Sequence, residues 1–197
     1  MAGHDRSAPL ARTPDGTTWQ IGSASDVDWI ATGTSTGLAI TSAIPPGFPA
    51  YATVVVPEPN LPIEQQARDR ALLDVLGRHS AQEPWWLGYL DTGASDVVFA
   101  DAPMVTLYAD WRYVLVSAGQ EQAARWRSTD PWKGCLPDLM FPADRSWLVS
   151  TLWDDDWTCV GGSEQLVAEL VSHPDLLAHA RRVTTDEDAT PPGHQAF

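Results

Sequence analysis

Between Trp85 and Ser117 the chain alternates short aromatic and β-branched runs with turn signals, and this rhythm constrains the fold more than any other feature. The runs are Trp85–Leu90, Val97–Phe99, Val105–Tyr108 and Tyr113–Ser117. Asp91-Thr92-Gly93, Asp101-Ala102-Pro103 and Ala109-Asp110 separate them. Asp, Gly and Pro supply turn geometry, and a spacing of roughly 8–12 residues fits an antiparallel meander. Tyr51–Val56 predicts a central strand, closed by Pro57 and Pro59, because proline donates nothing to a ladder. Ser146–Trp153 and Trp157–Val160 predict a hairpin with Asp154-Asp155-Asp156 at its turn.

Two helices frame these strands. Pro62–Arg78 starts with proline in its first turn and carries Ile63, Ala67, Leu72, Val75 and Leu76 as an apolar stripe, with its Gln, Arg and Asp residues expected outward. Ser163–Ser172 has Ser163 as its cap, Leu166, Val167, Leu170 and Val171 as its stripe, and Pro174 as its stop. Gln120–Arg127 predicts a short helix. Thr17–Ile21 and Val27–Thr32 are expected to be structured, and Leu38–Ile44 is a strand or short helix ended by Pro45-Pro46-Gly47. The expected class is α+β, a mostly antiparallel sheet with two main flanking helices. The βαβ rhythm of a dinucleotide fold is missing. Of the 197 residues, 44% are apolar, enough for one core. The expected division is a flexible leader over 1–15, one domain over 16–183 and a disordered acidic tail over 184–197.

Charge excludes several partners. Twelve Lys+Arg face 26 Asp+Glu, a net charge of −14. Nucleic acid and anionic membranes demand clustered cations. Here Lys133 is the one lysine, and Arg181-Arg182 is the one adjacent basic pair. A basic protein is the macromolecule such a field attracts. No apolar run approaches the ~20 residues of a membrane span, and the N-terminus shows no secretory signal. Cys135 and Cys159 form neither a disulfide framework nor a zinc knuckle, so a cytoplasmic protein with free thiols is expected, with a bond between the two left open. No motif calls for a metal or cofactor. H-E-x-x-H, G-x-S-x-G and both phosphate-binding glycine loops are absent.

Ten tryptophans stand out: Trp19, Trp29, Trp85, Trp86, Trp111, Trp126, Trp132, Trp147, Trp153 and Trp157. Most are expected as packing residues, but one core does not easily enclose ten indoles and satisfy each N–H. Strand alternation predicts Trp147, Val149, Thr151 and Trp153 on one face, opposite Ser146, Leu148, Ser150 and Leu152. It also sends Trp85 and Trp86 to opposite faces. Asp154-Asp155-Asp156 lacks the EF-hand pattern and reads as a solvated turn or an acidic, partner-facing knob. Gly161-Gly162-Ser163 reads as a strand-to-helix turn, chiefly a matter of geometry, with anion binding as its functional alternative. Asp91-Thr92-Gly93 matches an aspartic-protease tripeptide but fits a hairpin turn better.

Pro84–Asp96 (Pro-Trp-Trp-Leu-Gly-Tyr-Leu-Asp-Thr-Gly-Ala-Ser-Asp) and Arg145–Gly162 (Arg-Ser-Trp-Leu-Val-Ser-Thr-Leu-Trp-Asp-Asp-Asp-Trp-Thr-Cys-Val-Gly-Gly) resemble an uncharacterised family of actinobacterial proteins. The likeness runs from about Trp29 to His173. It implies a bacterial cytosolic setting, in keeping with the preference for Arg over Lys, and assigns no residue a role.

The leading functional expectation is a non-enzymatic binding protein for a basic partner, in the manner of an immunity-type antagonist. Its contact patch would be Trp85, Trp86, Trp153, Asp154, Asp155, Asp156 and Trp157, with aromatics anchoring and carboxylates steering. The alternatives are a small hydrolase or transferase with a cleft of Asp91, Cys135, Asp144 and Arg145, in which Asp144-Arg145 would more simply form a structural clamp, and a small-molecule binder that stacks its ligand on tryptophan.

Overall fold

The computed structural model describes residues 10–12, 18–57, 61–80, 84–91, 102–125, 136–153 and 155–196. The predicted strand Val97–Phe99 lies outside them, as do Thr92, Gly93, Trp126, Trp132, Cys135 and Asp154.

The order of elements is β1 (Leu10–Arg12), β2 (Thr18–Ile21), α1 (Ala24–Gly33), a 3-10 turn (Ile40–Ser42), β3 (Ala50–Val55), α2 (Pro62–Arg78), β4 (Trp85–Leu90), β5 (Met104–Leu107), β6 (Trp111–Ala118), α3 (Gln120–Arg125), β7 (Leu139–Pro142), β8 (Leu148–Ser150), β9 (Trp157–Gly162), α4 (Glu164–Ser172) and β10 (Ala180–Val183). The fold is α+β, as expected. Among the described residues, ten strands join one sheet in the order β1-β2-β6-β4-β7-β8-β9-β3-β10, with β5 paired to β6. Every strand pairing is antiparallel.

Both faces of the sheet are covered. On one, Ala52, Val54, Trp85, Leu87, Val114, Val116, Met140, Val149 and Val160 meet apolar residues of α2, α3 and α4. On the other, Tyr51, Leu90, Tyr113, Leu115, Leu139, Phe141, Leu148, Trp157 and Cys159 meet α1, the segment around Ile40–Ile44, and Ala189. The alternation is that of ordinary strands, and β3, β4, β7 and β9 are buried on both sides. Trp85 and Trp147 pack edge-to-face at 4.8 Å on the helical side, and Trp147 Nε1–H donates to Ser80 Oγ at 3.0 Å.

Helix ends follow local chemistry. At α1, the Asp26 carboxylate accepts from the Ser23 backbone N–H at 2.8 Å, half of a capping box. At α4, Ser163 Oγ accepts from the Leu166 N–H at 3.1 Å, as predicted. Leu166, Val167 and Leu170 are buried there.

Four expectations need correction. First, α2 does not turn all its polar residues outward. Ile63 is 82% exposed, while Gln65, Arg68 and Asp69 are buried together with Leu72, Val75 and Leu76. Positions 65, 68, 72 and 76 share one face of a 3.6-residue helix. Second, β8 ends at Ser150, so alternation does not carry through to Trp153. Trp147 and Val149 lie on the helical face, whereas Trp153 packs against the opposite core. Third, Gly161 and Gly162 are buried strand residues of β9, not a turn. A Cβ on Gly161 would sit 2.6 Å from Ile44 Cγ2 and 2.7 Å from Phe48 Cδ2, so this glycine admits the covering segment. Fourth, 184–196 is laid back on the fold. The Ala189 N–H donates to Leu38 O at 2.8 Å, the Arg181 guanidinium donates to Asp188 O and Thr190 O, and Ala189 is buried. Two main-chain acceptors for one arginine hold a segment whose composition alone suggests an unfolded tail.

Candidate functional site

The turn between β8 and β9 is built from its own backbone. The Asp155 N–H donates to Leu152 O at 3.3 Å, and the Val56 N–H donates to Asp156 O at 2.7 Å, which seats the turn on the end of β3. Asp156 is exposed and its Oδ2 lies 2.6 Å from His194 Nδ1. His194 in turn meets the Trp157 ring edge-on at 6.3 Å. The acidic turn therefore sits between the returning C-terminal segment and the sheet.

Beside this turn an aromatic string runs from surface to core. Trp153 and Trp111 lie 6.4 Å apart, Trp111 and Tyr108 6.1 Å, and Tyr108 and Tyr113 6.1 Å. Both tryptophans are half-buried, while Tyr113 is sealed inside. Tyr108 anchors the string: its hydroxyl donates to Ala43 O at 3.0 Å and shares a 2.8 Å hydrogen bond with Ser150 Oγ. Burial pushes the phenols of Tyr108 and Tyr113 well above the usual tyrosine range, so both stay neutral. Asp110, exposed next to Trp111, adds a carboxylate at the same end. Two half-exposed indoles on a rigid footing beside acidic side chains form a surface that can anchor a partner's apolar group and attract its cations.

The predicted patch is divided by the fold. Trp153, Asp155 and Asp156 come together at the turn. Trp85 and Trp157 are enclosed, at 1% and 3% exposure, and serve as core. Trp86 is half-buried and pairs with Ser117 on β6, whereas Trp111 stands six residues along that strand, roughly 20 Å away. Trp111 and Tyr108 take its place; the sequence marked only the Ala109-Asp110 turn between them, where the structure puts Tyr108 and Asp110 at positive φ.

Of the described residues proposed for a cleft, Asp91 is separated from Asp144 and Arg145. Asp91 follows β4 and pairs with Arg112 at 2.8 Å. Asp144 and Arg145 follow β7, and because Trp85 pairs with Pro142 they lie at the other end of the β4–β7 pair. There Asp144 Oδ1 accepts from the Ser146 N–H at 3.0 Å, and Arg145, with φ 57°, lies 5.2 Å over the Trp29 ring. Cys159 is buried on the Trp153 side. Burial, followed by the Asp155 charge, pushes its thiol up to about 12, which makes it a poor nucleophile. Among the described residues no group of three His, Cys, Asp or Glu side chains is placed to hold a metal, and no helix is long and apolar enough to cross a membrane.

No family model matches the chain, and neither a curated protein nor a solved structure matches it.

Proposed function

We propose that the protein is a binding protein for a basic protein partner, docking through the end of the sheet where Trp111 and Trp153 stand beside Asp155 and Asp156. The observation that carries this reading is the half-exposed Trp111–Trp153 pair, footed on Tyr108, at the same place as the acidic turn. Indoles contribute most where a partner side chain packs on them, and carboxylates contribute mainly by raising the rate of encounter. With a net charge of −14 the whole chain favours approach of a cation. An antagonist that neutralises a basic protein is the form of activity this combination suits.

The test is a titration with cationic peptides that carry apolar side chains, followed by intrinsic tryptophan emission. Binding should perturb the emission saturably, and Trp153→Ala should weaken it about 30-fold, as the loss of an anchor worth about 2 kcal/mol does. Equal affinity of wild type and W153A would refute this docking surface.

A further inference from the structure

On the helical face of the sheet, behind the acidic turn, lies a cavity of about 80 Å³. Its polar lining is Gln65, Arg68 and Asp69 of α2, Asp138, and Thr151 and Thr158 at the base of the β8–β9 turn. Val56, Met140 and Val149 are among its apolar lining residues. A water needs roughly 10–15 Å³ of such space, so the cavity has room for a molecule of a few heavy atoms.

The chemistry of the wall selects among ligands. Arg68 is 3% exposed, and its charge is met by Asp69 Oδ1 at 2.8 Å from Nη1. Nη2 donates to Val54 O at 3.2 Å and to Thr158 Oγ1 at 2.6 Å. Thr158 and Thr151 share a hydrogen bond at 3.0 Å. If Thr158, which accepts from Arg68, donates to Thr151, the Thr151 proton is directed onward as a donor. Arg68 Nε–H is buried with no acceptor among the described residues, an unusual vacancy for a guanidinium. An added anion meets the carboxylates of Asp69 and Asp138, and an added cation meets Arg68. The lining thus holds two carboxylates against one guanidinium, which disfavours an anion; Asp69 is taken by Arg68 and Asp138 accepts from the Leu90 N–H at 3.0 Å, so a cation would lose its hydration beside the buried Arg68 charge, which is costly.

We propose that this cavity is a binding site for a small uncharged polar group that both accepts and donates hydrogen bonds, a carboxamide or a diol, with its acceptor toward the Arg68–Thr158–Thr151 chain and its carbon atoms against Val56, Met140 and Val149. The site is on the opposite face of the sheet from Trp153 and is independent of the docking surface.

The experiment is a nuclear magnetic resonance titration of the full 15N-labelled chain with acetamide, propane-1,2-diol, acetate and methylammonium in turn. Acetamide or the diol should shift the Gln65, Thr151 and Thr158 amides and the Arg68 Nε–H saturably at millimolar concentration. Whichever of the two binds names the ligand class. Thr151→Val, checked to melt as the wild type does, should weaken that binding about fivefold or more, as the loss of one hydrogen bond predicts. Stronger binding of acetate or methylammonium, unchanged affinity in T151V, or no saturable shift with any probe would each overturn the proposal.

Discussion

His194 Nδ1 and Asp156 Oδ2 meet at 2.6 Å across 38 residues of sequence, which fastens the C-terminal segment to the turn that carries the acidic tip. The contact lies against Trp157, while Trp153 stays half-buried beside Trp111. His194→Ala should cost little global stability, at most about 1 kcal/mol, since both groups are partly in water. It should instead speed hydrogen exchange at the Ala189 and His194 amides, whose acceptors are Leu38 O and Pro191 O. Unchanged exchange at those amides would show that the Arg181 and Ala189 hydrogen bonds hold the segment without the His194–Asp156 contact.

The Cys159 thiol, raised to about 12 by burial and then by Asp155, is protonated throughout the neutral range. In a Cys135→Ser background the native protein should resist a thiol-reactive disulfide reagent at pH 8 and react at once in denaturant. Fast labelling of the native chain would contradict the placement of Cys159 beneath the aromatic string.

Glu169 sets part of the acid limb of stability. His79 Nε2 lies 2.8 Å from one oxygen and Arg78 Nε donates to the other at 2.8 Å, and these partners hold the carboxyl below its ordinary 4.5. A folded value below the unfolded one means the unfolded chain binds more protons between the two. The contribution is therefore complete above pH 4.5 and is lost as pH falls through the folded value. Glu169→Gln should flatten the stability profile in that window, read from urea midpoints between pH 3 and 6. An unaltered slope would dismiss the linkage.

Gly161→Ala should destabilise the fold by about 1–3 kcal/mol, because Ile44 and Phe48 occupy the space a Cβ needs. Gly37→Ala is the control for backbone strain, since it combines a positive φ with open space. A wild-type melting temperature for G161A would mean that the covering segment is looser than the contacts imply.

The antiparallel sheet was legible because turn residues and β-branched runs act locally, and α4 was legible because its cap, stripe and stop all point the same way. The buried face of α2 was not. Hydropathy favours Ile63, but the helix is docked by Leu72, Val75 and Leu76, and the same face carries Gln65, Arg68 and Asp69 down to the sheet. Arg68 is paired with its neighbour Asp69, and only its bonds across tertiary structure, to Val54 O and Thr158, complete the pairing that makes that burial tolerable. The candidate site was half legible. Its acidic turn is written in three consecutive aspartates, whereas the choice of Trp111 over Trp85, Trp86 and Trp157 depends on where β8 stops and which strand lies beside it.

The central claim is that carboxylates at the turn steer a basic partner onto Trp111 and Trp153. It is tested most directly by stopped-flow association of a cationic peptide with the wild type and with Asp155→Asn/Asp156→Asn, from low to physiological salt. The variant should associate more slowly at low salt, with the gap closing as screening shortens the reach of the charges. Identical rates at every ionic strength would contradict the claim.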